Sequence, residues 1–439
     1  MTQFGELTLW IALLMAAWSA TLAVQGAVMR RHALVESAAR GLQMALLFGV
    51  LAAGVLMRAF LDGDYSLRYV AMHSGVSVAS LYKICAFWSG RAGLLLLASV
   101  ALAGTGLAGA RGAMRRDGDA ARAAWTLALL AATTGAVLAV TAFTGSAFAL
   151  FRQAPTDGRG LDPLFRHPFA AIQPLLMVAG VAAAALPLAL LGATAIRRRL
   201  DEELSSRVRA AATVSWALLS LALLLGAQWA YLSPGLRVRS QGTVIVLATA
   251  GAWAVMTLVL AGAEVRARAA QPPAFRRRVA RLLAGCGAAL CAVALAVSPR
   301  TKNYDAQIDD GSRYAATDSW GHAWTFTSQG ESRIERPGDD VLALVLLPTR
   351  DGVRQPFLSS ESRQYFGAGG LDIYSPQIVP AVQRGLMQDL FVVLADAEGG
   401  RSVVRISFRP LVELAWAGGV LLVFAGALFF WPLSMEAAP

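Results

Sequence analysis

The sequence predicts an all-α polytopic membrane protein of about nine transmembrane helices that carries a small external β domain. Three observations predict this class. Hydrophobic residues make up 56% of the 439 residues and charged residues only 15%, too little for the wetted surface of a soluble protein. Several apolar runs are long enough to cross a bilayer, and arginine is concentrated in alternate connections between them.

The predicted spans each contain roughly 20 apolar residues, the length that crosses the hydrocarbon core. They are 8–29, 41–61, 92–110, 124–149, 169–195, 210–232, 242–263, 280–298 and 411–432. The first eight form a transmembrane domain at 1–298, and the ninth belongs to a C-terminal helix and short tail at 410–439. The first run lacks a basic start and a clear small-residue cleavage site, so we interpret it as a retained span.

Clustered arginines predict the orientation of the spans. Eighteen arginines follow the first, third, fifth and seventh spans, in clusters such as 30–31, 115–116, 197–199 and 276–278. By the positive-inside rule these connections are cytoplasmic, which places the N-terminus and residues 299–409 outside a bacterial inner membrane and the C-terminus inside. Because the net charge of +11 is divided among these clusters, we expect contacts with membrane lipid and no nucleic-acid partner.

The connection at 299–409 is the only polar segment long enough to fold as a domain. Alternating runs at 341–347 and 390–394 predict strands, and Asp351-Gly352 and Gly399-Gly400 predict hairpin turns. A small β-barrel or sandwich outside the membrane is therefore expected.

Cysteines and short motifs assign no chemistry. Cys85, Cys286 and Cys291 lie in or beside apolar runs, which favours small buried hydrophobes over a disulfide framework. The sequence contains no P-loop, zinc-ligand spacing, HExxH or GxSxG motif.

The outer connections combine cations with aromatic residues and histidine. The candidates are His73, Trp88, Arg91, Arg166, His167, Gln173, Trp229, Arg237 and Arg239. Trp88, Trp229 and Tyr231 stand at span ends, as in an interfacial aromatic belt. A flat anionic ligand is the alternative: in haem, arginines would bind the propionates and a histidine the iron.

Only four histidines are present. His32 stands in a cytoplasmic arginine cluster, and His322 stands in the segment 319–324, where a packed aromatic turn is expected. His73 and His167 remain either solvated surface residues or iron ligands.

Several segments, in chain order, resemble the CcmF-type haem lyase subunits of cytochrome c maturation (the CcmF/CcsA family). They are 69–74, 81–83 and 86–93, then 160–164 with Pro168, Ile172, Pro174 and Gly180, and then 226–231. Asn303-Tyr304, Glu361, Arg363, Tyr365, 385–386, 389–390, Arg405, Pro410 and Trp416 complete the series. These segments are distributed over most of the chain.

The chain departs from the family pattern in three places. The run Trp88-Ser89-Gly90-Arg91-Ala92-Gly93-Leu94 stands where the family has Trp-Gly-X-His-Glu-Gly-Ser. Residues 235–240 follow Tyr231 where the family carries a tryptophan-rich WWD motif, and Gln173 stands where the family has a haem-ligating histidine. The chain is also shorter than the family pattern.

The resemblance implies a function in c-type cytochrome biogenesis. It implies a membrane haem lyase subunit that positions haem for thioether attachment to apocytochrome c, with other maturation subunits as partners. His73 and His167 would be the iron ligands, and Arg91, Arg166, Arg237 and Arg239 would lie near the propionates. The alternative is a non-catalytic scaffold derived from the family; a transporter is a third possibility, which neither a mid-span acidic residue nor a repeat supports.

Overall fold

A computed structural model of the chain describes most of its residues. The described ranges are 2–116, 120–144, 147–197, 202–233, 240–266, 274–336, 339–366, 376–398 and 401–431. Three predicted features lie outside these ranges. They are residues 235–239 of the segment 235–240, the candidates Arg237 and Arg239 within it, and the turn Gly399-Gly400.

The helices follow the predicted spans. They are α1 Thr2–Met29, α2 His32–Asp62, α3 Arg68–His73, α4 Ser80–Ala86, α5 Arg91–Arg116, α6 Ala120–Phe143, α7 Phe169–Arg197, α8 Glu202–Leu232, α9 Ser240–Arg266, α10 Ala274–Val297 and α11 Val412–Phe430. Two short 3-10 helices lie at Pro163–Arg166 and Ser298–Arg300. Each predicted span overlaps one long helix, because a long apolar run in lipid must satisfy its backbone hydrogen bonds internally.

Eight helices of the described residues are long and apolar enough to cross a membrane, namely α1, α2, α5, α6, α7, α8, α10 and α11. Within α9, which coincides with the predicted seventh span, the described residues contain an apolar stretch at Thr249–Gly262. The prediction of a polytopic helical membrane protein with a β domain is confirmed.

The chain divides into two compact units. The first contains Met1–Leu223, Ser240–Ala274 and Ala427–Pro439, and the second contains Leu224–Arg239 and Phe275–Gly426. The predicted domain boundaries at 298/299 and 409/410 stay predictions.

Small residues pack the helices of the first unit. Ala16, Ala38 and Ala45 are almost fully buried, and the Ser19 hydroxyl donates a hydrogen bond to the Ala38 carbonyl at 2.7 Å. Small side chains let helix backbones approach closely, which is how helices associate when lipid removes the hydrophobic drive between them.

The described residues of the second unit form ten antiparallel strands. They are β1 Lys302–Asp309, β2 Arg313–Thr317, β3 Ala323–Arg336, β4 Asp339–Arg350, β5 Val353–Arg354, β6 Leu358–Tyr365, β7 Gln377–Val379, β8 Ala381–Gln383, β9 Gln388–Glu398 and β10 Arg401–Pro410. One sheet has the order β1-β10-β9-β8 and the other β2-β3-β4-β6-β7, with β5 paired to β4. The predicted strands at 341–347 and 390–394 lie in β4 and β9.

Both sheets contribute to one hydrophobic core. Phe326 of β3, Leu346 of β4 and Phe408 of β10 are fully buried, and the Trp324 and Phe326 rings stack with centroids 6.0 Å apart. Asp351 and Gly352 have φ values of 48° and 83° and connect β4 to β5, as the predicted hairpin turn requires.

The turn before β3 is organised by a buried carboxylate. Asp318 Oδ1 accepts hydrogen bonds from the backbone N–H groups of Trp320 and His322, and Oδ2 accepts from Trp324 Nε1 at 3.1 Å and Gln388 Nε2 at 2.7 Å. The His322 imidazole lies 2.9 Å from the Asp351 carboxylate. His322 therefore belongs to a turn that packs against the β core.

Candidate functional site

The short helix α3 carries the histidine with the most defined environment. His73 Nδ1 lies 2.9 Å from the carbonyl oxygen of Tyr69, one turn earlier on the helix, and the two rings have centroids 4.4 Å apart. A carbonyl only accepts, so Nδ1 carries the proton and Nε2 keeps the lone pair. This arrangement leaves Nε2 as the nitrogen that can bind a metal.

Backbone contacts hold α3 against the connection between α6 and α7. The Arg159 N–H donates to the Ala71 carbonyl at 2.6 Å, and the Gly160 N–H donates to the Ser74 carbonyl at 2.9 Å. Asp157 Oδ1 accepts from the Val76 N–H at 2.7 Å and so joins the two connections. Hydrogen bonds thus join the α3 segment to residues of the α6–α7 connection that are about 85 positions later in the sequence.

Tyr69 connects α3 to the beginning of α5. Its hydroxyl donates to the Phe87 carbonyl at 2.9 Å and accepts from the Gly90 N–H at 3.2 Å. Burial raises the pKa of Tyr69, so the phenol stays protonated and can donate. Residues 87–90 are thereby fixed beside His73.

Gly90 permits the close approach to His73. A β-carbon at this position would come within 2.8 Å of His73 Cε1 and of Tyr69 Cε2, and closer still to His73 Nε2. Because glycine has no side chain, its backbone can lie directly against the Nε2 edge of the imidazole. The site therefore depends on a glycine in the segment 86–93.

Burial also sets the protonation state of His73. Burial lowers the pKa of this imidazole below its ordinary value, while the nearby charges of Asp162 and Arg159 act on it in opposite directions. The neutral imidazole, which is the form that ligates metals, is favoured near neutral pH.

Trp88 lies inside the protein rather than in an exposed interfacial belt. Its side chain is 8% exposed, and its indole N–H donates to the Ala170 carbonyl at 2.8 Å, at the start of α7. The indole N–H is therefore satisfied by a protein carbonyl. A direct contact of Trp88 with a ligand stays a prediction.

Arg91 is exposed and begins α5. One of its terminal guanidinium nitrogens donates to the Thr144 carbonyl at 2.6 Å, just beyond the end of α6. A cation at a helix C-terminus is stabilised by the unpaired carbonyls there. The remaining guanidinium N–H groups can still donate hydrogen bonds to a carboxylate.

His167 has the opposite tautomer to His73. Its Nδ1 accepts a hydrogen bond from the Phe169 N–H at 3.2 Å, at the N-terminus of α7. Nδ1 therefore holds the lone pair and Nε2 the proton, and iron ligation through Nε2 would require breaking this hydrogen bond. Burial lowers the pKa of His167 below its ordinary value.

Two further candidates flank His167. Arg166 ends the 3-10 helix Pro163–Arg166, which Asp162 caps by accepting from the Leu164 N–H at 3.0 Å. Gln173 is half-buried in α7 and is followed by Pro174 inside that helix. Among the described residues, no group of three or more histidine, cysteine or acidic side chains could hold a metal ion.

The second unit has its own polar cluster around the end of α8. The Tyr231 hydroxyl donates to Asp389 Oδ2 at 2.9 Å, and the Gly385 N–H donates to Asp389 Oδ1 at 3.2 Å. The Arg409 guanidinium lies 4.8 Å from the centre of the Tyr231 ring. Trp229 is half-buried two residues earlier on α8.

Sequence reasoning missed the roles of several residues. Tyr69, Gly90 and Asp389 belong to segments that resemble the family, yet their roles depend on contacts that a single sequence does not reveal. A histidine four residues after a tyrosine on one helix, as in 69–73, was the available signal for the first contact.

Comparison with known proteins finds similar sequences and a similar solved structure, although no family model matches the chain. The chain is 30% identical over 191 residues to the cytochrome c-type biogenesis protein ccl1 of Rhodobacter capsulatus, covering 43% of this chain and 29% of the relative. It is 29% identical over 234 residues to CcmF of Pseudomonas aeruginosa, covering 53% of this chain and 35% of the relative. It is also 29% identical over 182 residues to CcmF of Escherichia coli, covering 41% of this chain and 28% of the relative.

These matches cover about a third of the curated relatives' length. A solved structure named cytochrome c haem lyase CcmF superposes over 98% of both chains with a TM-score of 0.74 at 15% identity, which establishes the fold. The chain is therefore similar in sequence to CcmF proteins over part of its length, and it shares the fold of the solved CcmF structure.

Proposed function

We propose that this protein is a haem-holding subunit of the c-type cytochrome biogenesis machinery, and that it positions haem for thioether attachment to apocytochrome c. The relatives named above are cytochrome c-type biogenesis proteins, and the solved relative is named a haem lyase. The observation that carries the proposal is the hydrogen bond from His73 Nδ1 to the Tyr69 carbonyl.

The residues around His73 fit an iron porphyrin in two respects. The lone pair at Nε2 is the donor that haem iron takes from a protein, and a hydrogen bond at the other ring nitrogen orients such ligands. His73 is therefore the residue that would ligate the iron, and His167 is a second candidate that must first release the Phe169 N–H.

Cationic residues would hold the propionates. Arg91 is exposed with guanidinium N–H groups available beyond its contact with Thr144, and Arg166 lies in the connection next to His167. Arg237 and Arg239 are further candidates from the sequence. Arginine suits this role because its planar fork matches a carboxylate.

Haem, when bound, supplies the vinyl groups to which the cysteine thiols of a CxxCH apocytochrome add. The chain's own residues bind and orient: His73 would ligate the iron, Trp88 fixes α7 against the segment that carries Gly90, and buried Tyr69 orients His73. Positioning two reactants is itself a large catalytic contribution.

The proposed setting is the bacterial inner membrane with the N-terminus and 299–409 outside. The eight apolar helices support membrane insertion, and the arginine clusters support this orientation. Apocytochrome c and other maturation subunits would then meet the protein at its outer face, and lipid would surround its helices.

A non-catalytic scaffold is the second candidate. Gln173 favours it, because a carboxamide is a weaker iron ligand than imidazole, and so does the sequence 235–240 in place of a WWD motif. A pull-down that recovers a second, WWD-bearing subunit would support the scaffold. Normal cytochrome c maturation with His73 and His167 both changed to alanine would do the same.

The absorption spectrum of the purified protein tests the proposal. We expect the protein purified in detergent to show a Soret band. The band should remain after haem is added and the excess is removed, and it should be strongly reduced in His73→Ala. His32→Ala is the matched control, because His32 is exposed and pairs with Glu36 at 3.3 Å in the arginine cluster. A wild-type protein without a Soret band, together with normal cytochrome c after gene deletion, contradicts the proposal.

A further inference from the structure

A basic cavity lies at the turn between α1 and α2. It has a volume of about 410 Å³ and is lined chiefly by Arg30, Arg31, His32, Ala120, Ala121 and Arg197. The α1–α2 turn, the beginning of α6 and the end of α7 meet there. None of the iron-ligand or propionate candidates belongs to it.

The backbone of the turn aims two arginines at the cavity. Arg30 has a φ of 54°, a left-handed conformation that ends α1, and the Arg31 N–H bonds the Gly26 carbonyl at 3.2 Å. A non-glycine residue in this conformation costs about 1–2 kcal/mol. Arg30 and Arg31 are consecutive residues of this turn, and both line the cavity.

The charged side chains that line the cavity are basic, and the Glu36 carboxylate lies beside them, 3.3 Å from His32 Nδ1. Three guanidinium groups line it, and no carboxylate is among the described residues that do so. Within the described part of the chain, the side chains of Arg30 and Arg31 have no hydrogen bond or ion pair. Like charges held around a concave space create a positive potential that favours an anion.

Two helix N-termini add to this potential. Ala120 and Ala121 begin α6, and α2 begins at His32 with no side chain capping its first turn. Unpaired N–H groups at such ends stabilise phosphate and carboxylate groups. These N-termini add to the positive potential of the three arginines that line the cavity.

The position of the cavity indicates which anion it takes. The cavity is formed by the end of α1, the beginnings of α2 and α6, and the end of α7, all of them membrane-spanning helices. These ends lie on the side that the arginine distribution predicts to be cytoplasmic. Basic pockets between spans on that side suit the head groups of anionic phospholipids. We propose that this cavity binds the phosphate of an anionic phospholipid in the cytoplasmic leaflet.

Native mass spectrometry of the full-length protein from lipid nanodiscs tests the proposal. The variants are Arg30→Gln/Arg31→Gln and a matched control, Arg278→Gln/Arg281→Gln, which removes the same charge from exposed arginines of α10. Nanodiscs contain phosphatidylglycerol, cardiolipin or phosphatidylcholine. Inorganic phosphate in phosphatidylcholine nanodiscs forms a separate arm.

We expect the wild type and the control to retain an anionic lipid and the Arg30/Arg31 variant to bind it roughly thirtyfold more weakly, since each arginine near a membrane surface contributes about a fivefold factor. Arg30→Gly/Arg31→Gln must show the same loss. This second variant relaxes the left-handed residue, so a folding defect of the first variant cannot produce the result.

Three outcomes overturn the proposal. One is an equal loss of lipid in both charge-matched variants, because the effect would then come from general surface charge. Another is equal retention of phosphatidylcholine and anionic lipid by the wild type. The third is saturable binding of inorganic phosphate that the lipids do not displace, which would assign the cavity to a free phosphate.

Discussion

The imidazole Nδ1 of His73 lies 2.9 Å from the carbonyl oxygen of Tyr69, one turn earlier on the same short helix. This contact fixes the tautomer, and the hydroxyl of the same tyrosine fixes residues 87–90 beside the other ring nitrogen. One buried tyrosine therefore sets both the protonation and the surroundings of the proposed iron ligand.

Gly90→Ala should weaken both haem binding and stability. The added β-carbon overlaps His73 and Tyr69, and overpacking of this kind costs about 1–3 kcal/mol. Gly104→Ala in α5 is the matched control, because a β-carbon there has no neighbour within 4 Å. Thermal unfolding in detergent and the Soret absorbance measure the two effects; equal behaviour of both variants would contradict the proposed close approach.

Trp88→Phe should destabilise the protein by about 1–3 kcal/mol, because the buried Ala170 carbonyl loses its indole donor while most of the ring volume is kept. Trp18→Phe is a suitable control, since Trp18 is 57% exposed. Chemical or thermal unfolding in detergent measures the difference. A Trp88 variant as stable as the Trp18 variant would show that the hydrogen bond contributes nothing.

Tyr231 and Asp389 should be energetically coupled. Asp389 is fully buried, so either Tyr231→Phe or Asp389→Asn disturbs the same hydrogen bond. A double-mutant cycle on unfolding is expected to give a coupling energy of about 0.5–3 kcal/mol, the range for residues in contact. Strict additivity of the two changes would indicate that the contact has no energetic role.

Haem binding should persist to a lower pH than an ordinary histidine allows. Burial lowers the pKa of His73 below its ordinary value of 6.5, so the neutral ligand form survives at pH 6.5 and is lost only as the pH falls through the lowered pKa. A Soret titration against pH measures this. Loss of half the band at or above pH 6.5 would contradict the buried environment.

The β domain should lose stability in acid through Asp318. Burial alone would raise the pKa of this carboxyl, but hydrogen bonds from Trp324, Trp320, His322 and Gln388 outweigh it and hold the pKa below its ordinary value. A depressed pKa contributes stability that is present above the unfolded-state value and is lost as the pH falls through the folded-state value.

Asp318→Asn should remove this acid dependence and lower stability at neutral pH. Asp310→Asn, an exposed change at the turn after β1, is the control. Thermal unfolding between pH 3 and 7, followed in the β-structure signal, measures both. An unchanged acid transition in Asp318→Asn would assign the dependence to another group.

The membrane helices and the Asp351-Gly352 turn could be predicted from the sequence because their signals are local. A run of apolar residues determines a span, and two adjacent residues suited to positive φ determine a hairpin. The arrangement of α3, α4 and the beginning of α5 could not be predicted. The hydrogen bond between Trp88 and Ala170 joins residues 82 positions apart, and no periodicity encodes it.

The candidate site was predictable as a set of residue types but not as a geometry. His73 and His167 looked equivalent in sequence, each beside a span on the predicted outer side. The structure distinguishes them, because a carbonyl accepts from Nδ1 of His73 while a backbone N–H donates to Nδ1 of His167. Which neighbour a ring nitrogen meets depends on local backbone geometry that side-chain identity alone does not fix.

Imidazole rescue of His73→Gly tests the central claim most directly. If His73 ligates haem iron, the purified variant should lack the wild-type Soret band and recover it when millimolar imidazole occupies the space left by the side chain. His167→Gly, treated identically, should keep its band without imidazole. A wild-type spectrum in His73→Gly without imidazole would contradict the claim.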